Sequence, residues 1–580
     1  MKKLYFCLSF IIFTSITLFS QITFTDVAVT MGVNDPGAGQ GAVMLDVNND
    51  GYLDIFLDNN NNANKLWINS SGTAFTDQTT VYGLSFTGPG RGVSAGDFDN
   101  DGNIDIMIGQ FNATLILYKN NAGSFTNYTS TAGIALTSWG GSVNWFDYNN
   151  DGRLDAMLGN DGVPYHYNYL FRNDNLLSFT NVAYSSGITD STSTLTIATA
   201  DYDNDGDLDI FCGTQTNYGP ATSFLYKNNG NGTFSDVTVA SGMIIMEYSW
   251  GSDWGDFDND GDMDLYAANS NGPNRLLQNN GNGTFTDVSS QYGVADPSQS
   301  FSCGWADFDN DTDLDLYVAN GSTGIDKLFR NDGSTFTDVA ATVGTNDTRH
   351  SACISWGDFN NDGFMDLYLV NNGTENRLYK NNAGNSNKWV ILKLRGVVSN
   401  RSAIGTRVRV KTGGISQIRE VQGGSGGKGQ NSLPVEFGLG SAGTIDSLIV
   451  RWPSGTVQTF TNVNPNVIYS LTEGSILLGL NQTSSEIPQK YTLKQNYPNP
   501  FNPTTTIKFE IPNTKSETNS KTEIRIYDAL GREVTTLINE QLQPGSYEVT
   551  FDAGNLPSGV YFYMLRAGGF VDAKKMILVK

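Results

Sequence analysis

DFDNDGDMD, residues Asp256 to Asp264, decides the fold, because this nine-residue pattern of acids, amide and glycine occurs seven times in the chain. The copies begin at Asp46, Asp97, Asp147, Asp201, Asp256, Asp307 and Asp358, so their starts lie 50 to 55 residues apart. A period of that size marks a repeat architecture.

Aligning the copies shows which positions chemistry constrains. The first is always Asp, as is the fifth (Asp50, Asp101, Asp151, Asp205, Asp260, Asp311, Asp362) and the ninth (Asp54, Asp105, Asp155, Asp209, Asp264, Asp315, Asp366). The third is Asn48, Asp99, Asn149, Asp203, Asp258, Asp309 or Asn360. The sixth is Gly in six copies, where a sharp turn needs a residue tolerant of positive φ. Side chains at one, three and five converge as the loop curls, and the ninth carboxylate closes a cage of hard oxygen donors. Such a donor set suits Ca²⁺ better than Mg²⁺, which keeps its waters and demands a strict octahedron. Up to seven structural Ca²⁺ are therefore expected.

The alternative, seven acidic turns without metal, leaves carboxylates repelling one another at close range. The acids are concentrated in these loops, which hold 28 of the 59 Asp and Glu. Seven dications would offset more than half of the formal net charge of −24. An EF-hand needs a bidentate Glu at position twelve and flanking helices. That position reads Leu57, Ile108, Leu158, Cys212, Ala267, Val318 and Leu369, so EF-hands are excluded. Each loop instead precedes a β-rich apolar run such as LDLYVAN at Leu314 to Asn320. The metal would then lie between two strands.

Each repeat carries four short β-like segments. In the fifth these are WGSDWGDFD, MDLYAAN, NRLLQN and TFTDVS, with a hairpin signal in NNGNGTF. Four strands in each of seven repeats describe a seven-bladed β-propeller. The seventh repeat has NRLYKN at Asn376 to Asn381 but no TFTDV after it, whereas ITFTDV occurs at Ile22 to Val27. Phe24 to Val27 is therefore expected to supply the last blade's outer strand and close the ring, leaving no open sheet edge. Residues 22–386 resemble the FG-GAP and VCBS repeats of integrin-α-like propellers. That resemblance implies structural calcium loops on one face, between each blade's first and second strands.

Two loops depart from the pattern. Loop six has Thr312 at the glycine position, and a β-branched residue is poorly suited to positive φ; loop three has Arg153 beside the cation. Both are expected to bind Ca²⁺ more weakly than loops four and five. Trp145, Trp254, Trp305 and Trp356 each lie two residues before a first Asp. A ligand-stacking stripe is one reading, but core packing between blades is favoured. The opposite face would gather Arg91, Trp139, Tyr248, Trp250, Phe301, Arg349 and His350, with Tyr165, His166, Tyr167 and Tyr218 in longer loops. Aromatics mixed with Arg and amides there suit sugar or protein contacts.

At the amino terminus, Met1, Lys2 and Lys3 precede an apolar run from Leu4 to Phe19, the pattern of a secretory signal peptide over 1–20. Sixteen apolar residues are short for a membrane span, and no transmembrane segment is expected in the mature chain. Cys7 belongs to the leader. Cys212, Cys303 and Cys353 remain and are expected as buried thiols without a disulfide framework.

The composition changes at Lys388: residues 388 to 430 hold nine Lys or Arg and one acid, Glu420. NRSAIGTRVRV (Asn400 to Val410), VEFGLG (Val435 to Gly440) and IDSLIVRWPSG (Ile445 to Gly455) resemble the ASPIC/UnbV domain of the cartilage-acidic-protein-like family, over 387–476. GGSGGKGQNS at Gly423 to Ser432 departs from that family's usual aromatic and Ser. It is not a phosphate-binding P-loop, because Gln422 and Gly429 occupy positions that need Gly and Ser or Thr. The basic stripe could hold an anionic glycan or form a solvated face, but docking on the acidic ring is favoured.

NQTSSEIPQ, Asn481 to Gln489, lies in a polar linker over 477–489. NYPNPFNPTTTIKFEIP (Asn496 to Pro512), IYDALGREV (Ile526 to Val534) and LPSGVYFYMLRAGG (Leu556 to Gly569) resemble a type A C-terminal sorting domain of the type IX secretion system. The resemblance covers 490–580 and implies an Ig-like β-sandwich read by that machinery in a Gram-negative bacterium. Alternating strands such as YEVTF support a small sandwich independently.

The expected chain is thus all-β: a seven-bladed β-propeller over 21–386, a small β domain over 387–476 and a C-terminal Ig-like β-sandwich over 490–580. Its expected role is a secreted or cell-surface, non-enzymatic calcium-binding protein that contacts a surface glycan or protein, as in adhesion. A polysaccharide lyase or hydrolase on the same scaffold is the alternative. Against it, only His166 and His350 occur, and no motif pairs a base with a nucleophile. Nucleic acid is excluded by the acidity of the chain.

Overall fold

The computed structural model describes residues 22–580 apart from 163–166, 216–222, 244, 246–247, 322–323, 485–487, 513–521, 541, 543 and 555. The leader, Tyr165, His166 and Tyr218 lie outside the described residues. Among those described, the chain is all-β apart from four helices of four residues each.

Seven four-stranded antiparallel units follow one another. In the fifth, Ser249–Gly255, Asp264–Asn269, Arg275–Asn279 and Phe285–Asp287 pair in that order. The acidic nonapeptide is the turn between the first two strands. The second strand is buried throughout, which explains its unbroken apolar run instead of an in-out alternation. The outermost strand is three residues long, with only its Phe buried.

The seventh unit takes its outer strand from the other end of the ring: Phe24–Asp26 pairs antiparallel with Arg377–Asn381, Phe24 opposite Asn381. First strands pack side by side in succession, and Gly39–Leu45 lies against both Thr87–Gly96 and Ser351–Gly357, so the ring closes. Trp145, Trp254 and Trp305 are buried between neighbouring units. Each stacks on the aromatic at the second loop position of the preceding unit, Phe98, Tyr202 and Phe257 respectively. Trp356 is buried beside Phe24. These tryptophans are core. Cys212, Cys303 and Cys353 are buried and unpaired.

The units are not all separate. At the end opposite the acidic loops, Asp54–Ala63 pairs with Thr87–Gly96, and Asp105–Thr114 pairs with Thr137–Phe146, joining the first three. These strands run ten residues and extend past the ring, where backbone that would otherwise be unpaired finds a partner in the next unit.

The second module holds two sheets. One contains Val435–Gly440, Lys388–Arg395 and Val467–Thr472, the last two parallel; the other contains Ile415–Glu420, Arg407–Thr412, Ile445–Arg451 and Val457–Val463. Its core, with Leu392, Val408, Leu448 and Trp452, is continuous with that of ring units two to four. The third module packs two sheets over Ile507, Ile524, Val549, Tyr563 and Met576.

The polar stretch 477–489 is not a free linker. Leu478–Ser484 is a strand paired with Val467–Thr472 on one side and Gly545–Asp552 on the other, so one sheet runs through both modules. The open edges of two sheets take up the connecting backbone.

Phe24 packs on Phe308 and Trp356 as well as pairing the last unit. Deleting residues 22–30 is expected to lower the melting temperature by several degrees, on the order of 2–5 kcal/mol for loss of a buried Phe with its strand; calorimetry of the deletion protein measures this.

Candidate metal centres and the ring mouth

All seven loops share one hydrogen-bond plan. The first Asp accepts the backbone N–H groups of positions five and six; in loop five, Asp260 N and Gly261 N reach Asp256 at 3.0 and 3.1 Å. The fifth Asp accepts the N–H of position seven, as Asp262 N does to Asp260 at 2.9 Å. These bonds curl the chain and aim carboxylates inward. Asp97, Asp99 and Asp101 are brought together, as are Asp256, Asp258 and Asp260, and Asp307, Asp309 and Asp311; in loop four the group is Asp201, Asp203 and Asp209.

The ninth Asp has a further duty. In loop five, Asp264 accepts Phe257 N at 3.2 Å and Asn279 N at 2.7 Å, tying the loop and the third strand together. The same pair of bonds recurs at Asp54, Asp105, Asp155, Asp209, Asp315 and Asp366.

Two asparagine series complete the plan, and sequence reasoning passed over both. The asparagine ending each third strand donates through Nδ2 to a carbonyl of the preceding unit: Asn279 to Tyr202 O at 2.8 Å, and, closing the ring, Asn69 to Phe359 O at 2.8 Å. Position four is Asn in every loop, at φ between 54° and 62°. Its amide reaches the next loop, as in Asn310 to Gly363 O at 2.9 Å and Asn361 to Gly51 O at 3.1 Å. Both were visible as invariant columns across the seven copies.

Burial pushes the first carboxyls up, Asp97, Asp147, Asp256 and Asp358 to about 7. Neighbouring carboxylates add to the shift. The residues fit a cation. Asp99 Oδ1, Asp203 Oδ1 and Asp309 Oδ1, all at position three, are buried without a hydrogen-bond partner among the described residues. Lys119 and Lys227 hold the other oxygens of Asp99 and Asp203, so each of these buried Oδ1 atoms still has room for a further donor or cation.

The second module covers this face. Lys393 Nζ donates to Gly51 O at 2.6 Å, Arg401 N to Asn100 Oδ1 at 2.8 Å, and Arg407 pairs with Glu420 at 2.8 Å beside Asp201. The basic stripe thus docks on the acidic ring. A cavity of about 620 Å³ remains at this interface, bordered by Asp46, Asp97, Asp358, Lys393 and Arg395.

The glycine run penetrates the ring axis. Trp145 N donates to Gly423 O at 2.8 Å, Gly426 N to Ser252 O at 3.0 Å, Val93 N to Lys428 O at 3.0 Å and Ser432 N to Trp356 O at 2.9 Å. Units two, three, five and seven are each bonded to it. Glycine is required by space: a Cβ at Gly423 would lie 2.0 Å from Trp145 O, and one at Gly427, already at φ +99°, 2.2 Å from Trp250 O.

On the opposite face the axis opens among Arg91, Trp139, Trp250, Phe301 and His350. Arg91 pairs with Asp161 at 3.1 Å and lies over Phe111 and Trp250. Trp250, Phe301 and His350 form a chain of ring contacts. Arg349 is held to Asp347 at 2.9 Å.

The FG-GAP-like repeat matches six overlapping or adjoining segments, residues 46–108, 100–158, 157–212, 215–267, 256–318 and 308–369. The chain belongs to the FG-GAP-like repeat family. "ASPIC and UnbV" matches 396–477, and the "Secretion system C-terminal sorting domain" matches 495–580. The sorting domain marks type IX secretion to the cell surface or extracellular space, and no helix among the described residues is long and apolar enough to cross a membrane. Cartilage acidic protein 1 of Xenopus tropicalis is 30% identical over 302 residues, covering 49% of this chain and 45% of the relative. The Mus musculus protein is 29% identical over 298 residues, covering 48% and 45%. The chain spans about half the length of these relatives. Among solved structures, BBS1N in complex with ARL6DN aligns at TM-score 0.41 and 10% identity over 61% of this chain and 96% of that one. SapL1 lectin in complex with alpha methyl fucoside aligns at 0.35 and 12% over 53% and 96%.

The FG-GAP-like loops differ in their basic neighbours. Arg153 pairs with Asp151 in loop three. Lys119 likewise reaches Asp99 and Asp101 in loop two, and Lys227 reaches Asp203 and Asp205 in loop four. A basic neighbour therefore does not set loop three apart from loop four, because third-strand side chains point back over the loops. Thr312 of loop six is held at φ +97°. Thr312→Gly is expected to stabilise the protein by about 1 kcal/mol through relief of that strain, read as a rise in denaturant midpoint.

Asn279→Ala orphans the carbonyls of Tyr202 and Met263. At about 1–3 kcal/mol for each buried group, the fifth unit should lose tenfold or more protection in hydrogen exchange while the third module keeps its own.

Proposed function

We propose that this chain is a secreted or cell-surface binding protein, built on a seven-bladed propeller that structural calcium stabilises, and that it acts in adhesion to a glycan or protein without catalysing a reaction. The partnerless buried oxygens of Asp99, Asp203 and Asp309 carry this reading. They ask for a dication that accepts many oxygen donors, and calcium takes six to eight where magnesium insists on six in a strict octahedron. The donors would be positions one, three and five, with the ninth Asp contributing where it joins the group, as Asp209 does. The cation supplies charge neutralisation and a rigid link between first and second strands.

Export through the sorting domain favours calcium further, since extracellular modules work at 10⁻⁴–10⁻³ M dissociation constants. The third module, two facing antiparallel sheets, is read as the Ig-like sandwich that the secretion machinery recognises. The half-buried aromatic and Arg rim on the free face supports binding, because exposed rings of this kind are costly unless a partner covers them.

A site held at ten times its dissociation constant adds about 1.4 kcal/mol. Metal analysis of dialysed protein is expected to find several bound calcium ions, and chelation should lower the melting temperature by 10 °C or more. Absence of calcium together with an unmoved melting curve defeats the calcium reading; release of oligosaccharide from a polysaccharide panel defeats the non-enzymatic one.

A further inference from the structure

Lys428 reaches the ring mouth from another module. Its backbone belongs to the glycine run that fills the axis, and its side chain emerges beneath the rim on the face away from the acidic loops. The residue is 8% exposed. The only hydrogen-bond acceptor its ammonium meets among the described residues is Gln40 Oε1, at 2.9 Å. An ammonium carries three donors, and a buried cation without a counter-charge is costly. Trp250 supplies its ring face at 5.2 Å, a contact that orients the cation without neutralising it.

The nearby acids, Asp161 and Asp58, attract the ammonium but form no ion pair with it among the described residues. Asp161 is already engaged by Arg91 at 3.1 Å, Gln215 at 2.8 Å and Ser193. Asp58, the other acid near Lys428, is itself pushed up by burial. Burial and the neighbouring Arg91 push the Lys428 amine down to about 7. Two basic side chains thus face the same small space. Gly426 and Gln430 bond to first strands on either side of Lys428, so the backbone beneath the rim is tied across the axis. Above it, Trp250 and Phe301 meet edge to face with centroids 5.3 Å apart, and Trp139 stands 37% exposed beside Phe111. Flat, half-exposed rings around a charged floor match a pyranose that bears an acid group: the C–H face packs on a ring while the acid reaches the cations.

We propose that the ring mouth binds an acidic saccharide, its anionic group received by Lys428 and Arg91 and its sugar face by Trp250 and Phe301. This rests on the reading of the chain as a binding protein and goes further by naming the site and the ligand chemistry. Carboxylate and sulfate present the same charge, so the test includes both.

Calorimetric titration of the calcium-loaded, full-length protein with hexagalacturonate, a heparin-derived hexasaccharide and maltohexaose distinguishes the cases. At least one acidic probe should bind tenfold or more tighter than maltohexaose. Lys428→Met and Trp250→Ala should each weaken that binding at least tenfold, with melting temperatures within a few degrees of the parent. Should Lys428→Met fold poorly, Arg91→Gln and Trp250→Ala carry the test. Failure of both acidic probes, equal affinity for maltohexaose, or unchanged affinity in the folded variants overturns the proposal. If the protein still binds a glycan array or cells in that event, the broader binding reading stands; if that binding is also absent, both fail.

Discussion

A buried carboxylate at the ninth loop position, with one oxygen on the loop's own backbone and the other on the third strand, is the constraint on which the ring depends. Asp264 shows it in unit five, and each of the other six units repeats it. The third-strand amide that it receives belongs to an asparagine whose side chain crosses to the preceding unit. Strand pairing within a unit and contact between units therefore share one pair of residues. Buried polar groups are costly when unpaired and directional when paired, so this relay sets the spacing between sheets more sharply than apolar packing could. The tryptophans stacked on Phe98, Tyr202 and Phe257 fill the wedge that the relay leaves.

Charge explains why the second module is where it is. One face of the ring gathers most of the acids, and Lys393, Arg401, Arg407 and Arg419 come from a module whose first forty residues carry a single acid. Arg419 is half-buried with Asp307, Asp256 and Asp313 acting on it. The bases above the loops address one problem, the repulsion of clustered carboxylates in a poorly solvated place. The glycine run anchors this arrangement along the axis, where only backbone fits.

Much of this was legible in the chain. The seven copies, the hairpin signals and the TFTDV displaced to Ile22 specified the repeat, the strand count per unit and the closure through Phe24. The clustering of acids at positions one, three and five of loops two, five and six was recognisable because the curl of the loop is local. What escaped was non-local. Asn at position four and Asn at the third-strand end look like ordinary turn residues until the neighbouring unit is placed beside them. The ten-residue strands that fuse units one to three, and Leu478–Ser484 bridging two modules, were hidden because polar residues such as NNNNA and NQTS form strands when a bare edge is available, whatever their propensity. The place of Gly423 to Ser432 on the axis was hidden too, since nothing in a glycine run reveals that its surroundings are crowded.

The occupied axis has a consequence for the order of events after synthesis. The strand Phe24–Asp26 waits for a partner made some 350 residues later, and the hole that unit seven closes around is filled only by residues made later still. Non-local closure of this kind is slow. A nascent or truncated product that stops before Gly423 would present a hollow cylinder with wet inner strands, so the final step of maturation belongs to the second module and not to the ring it completes.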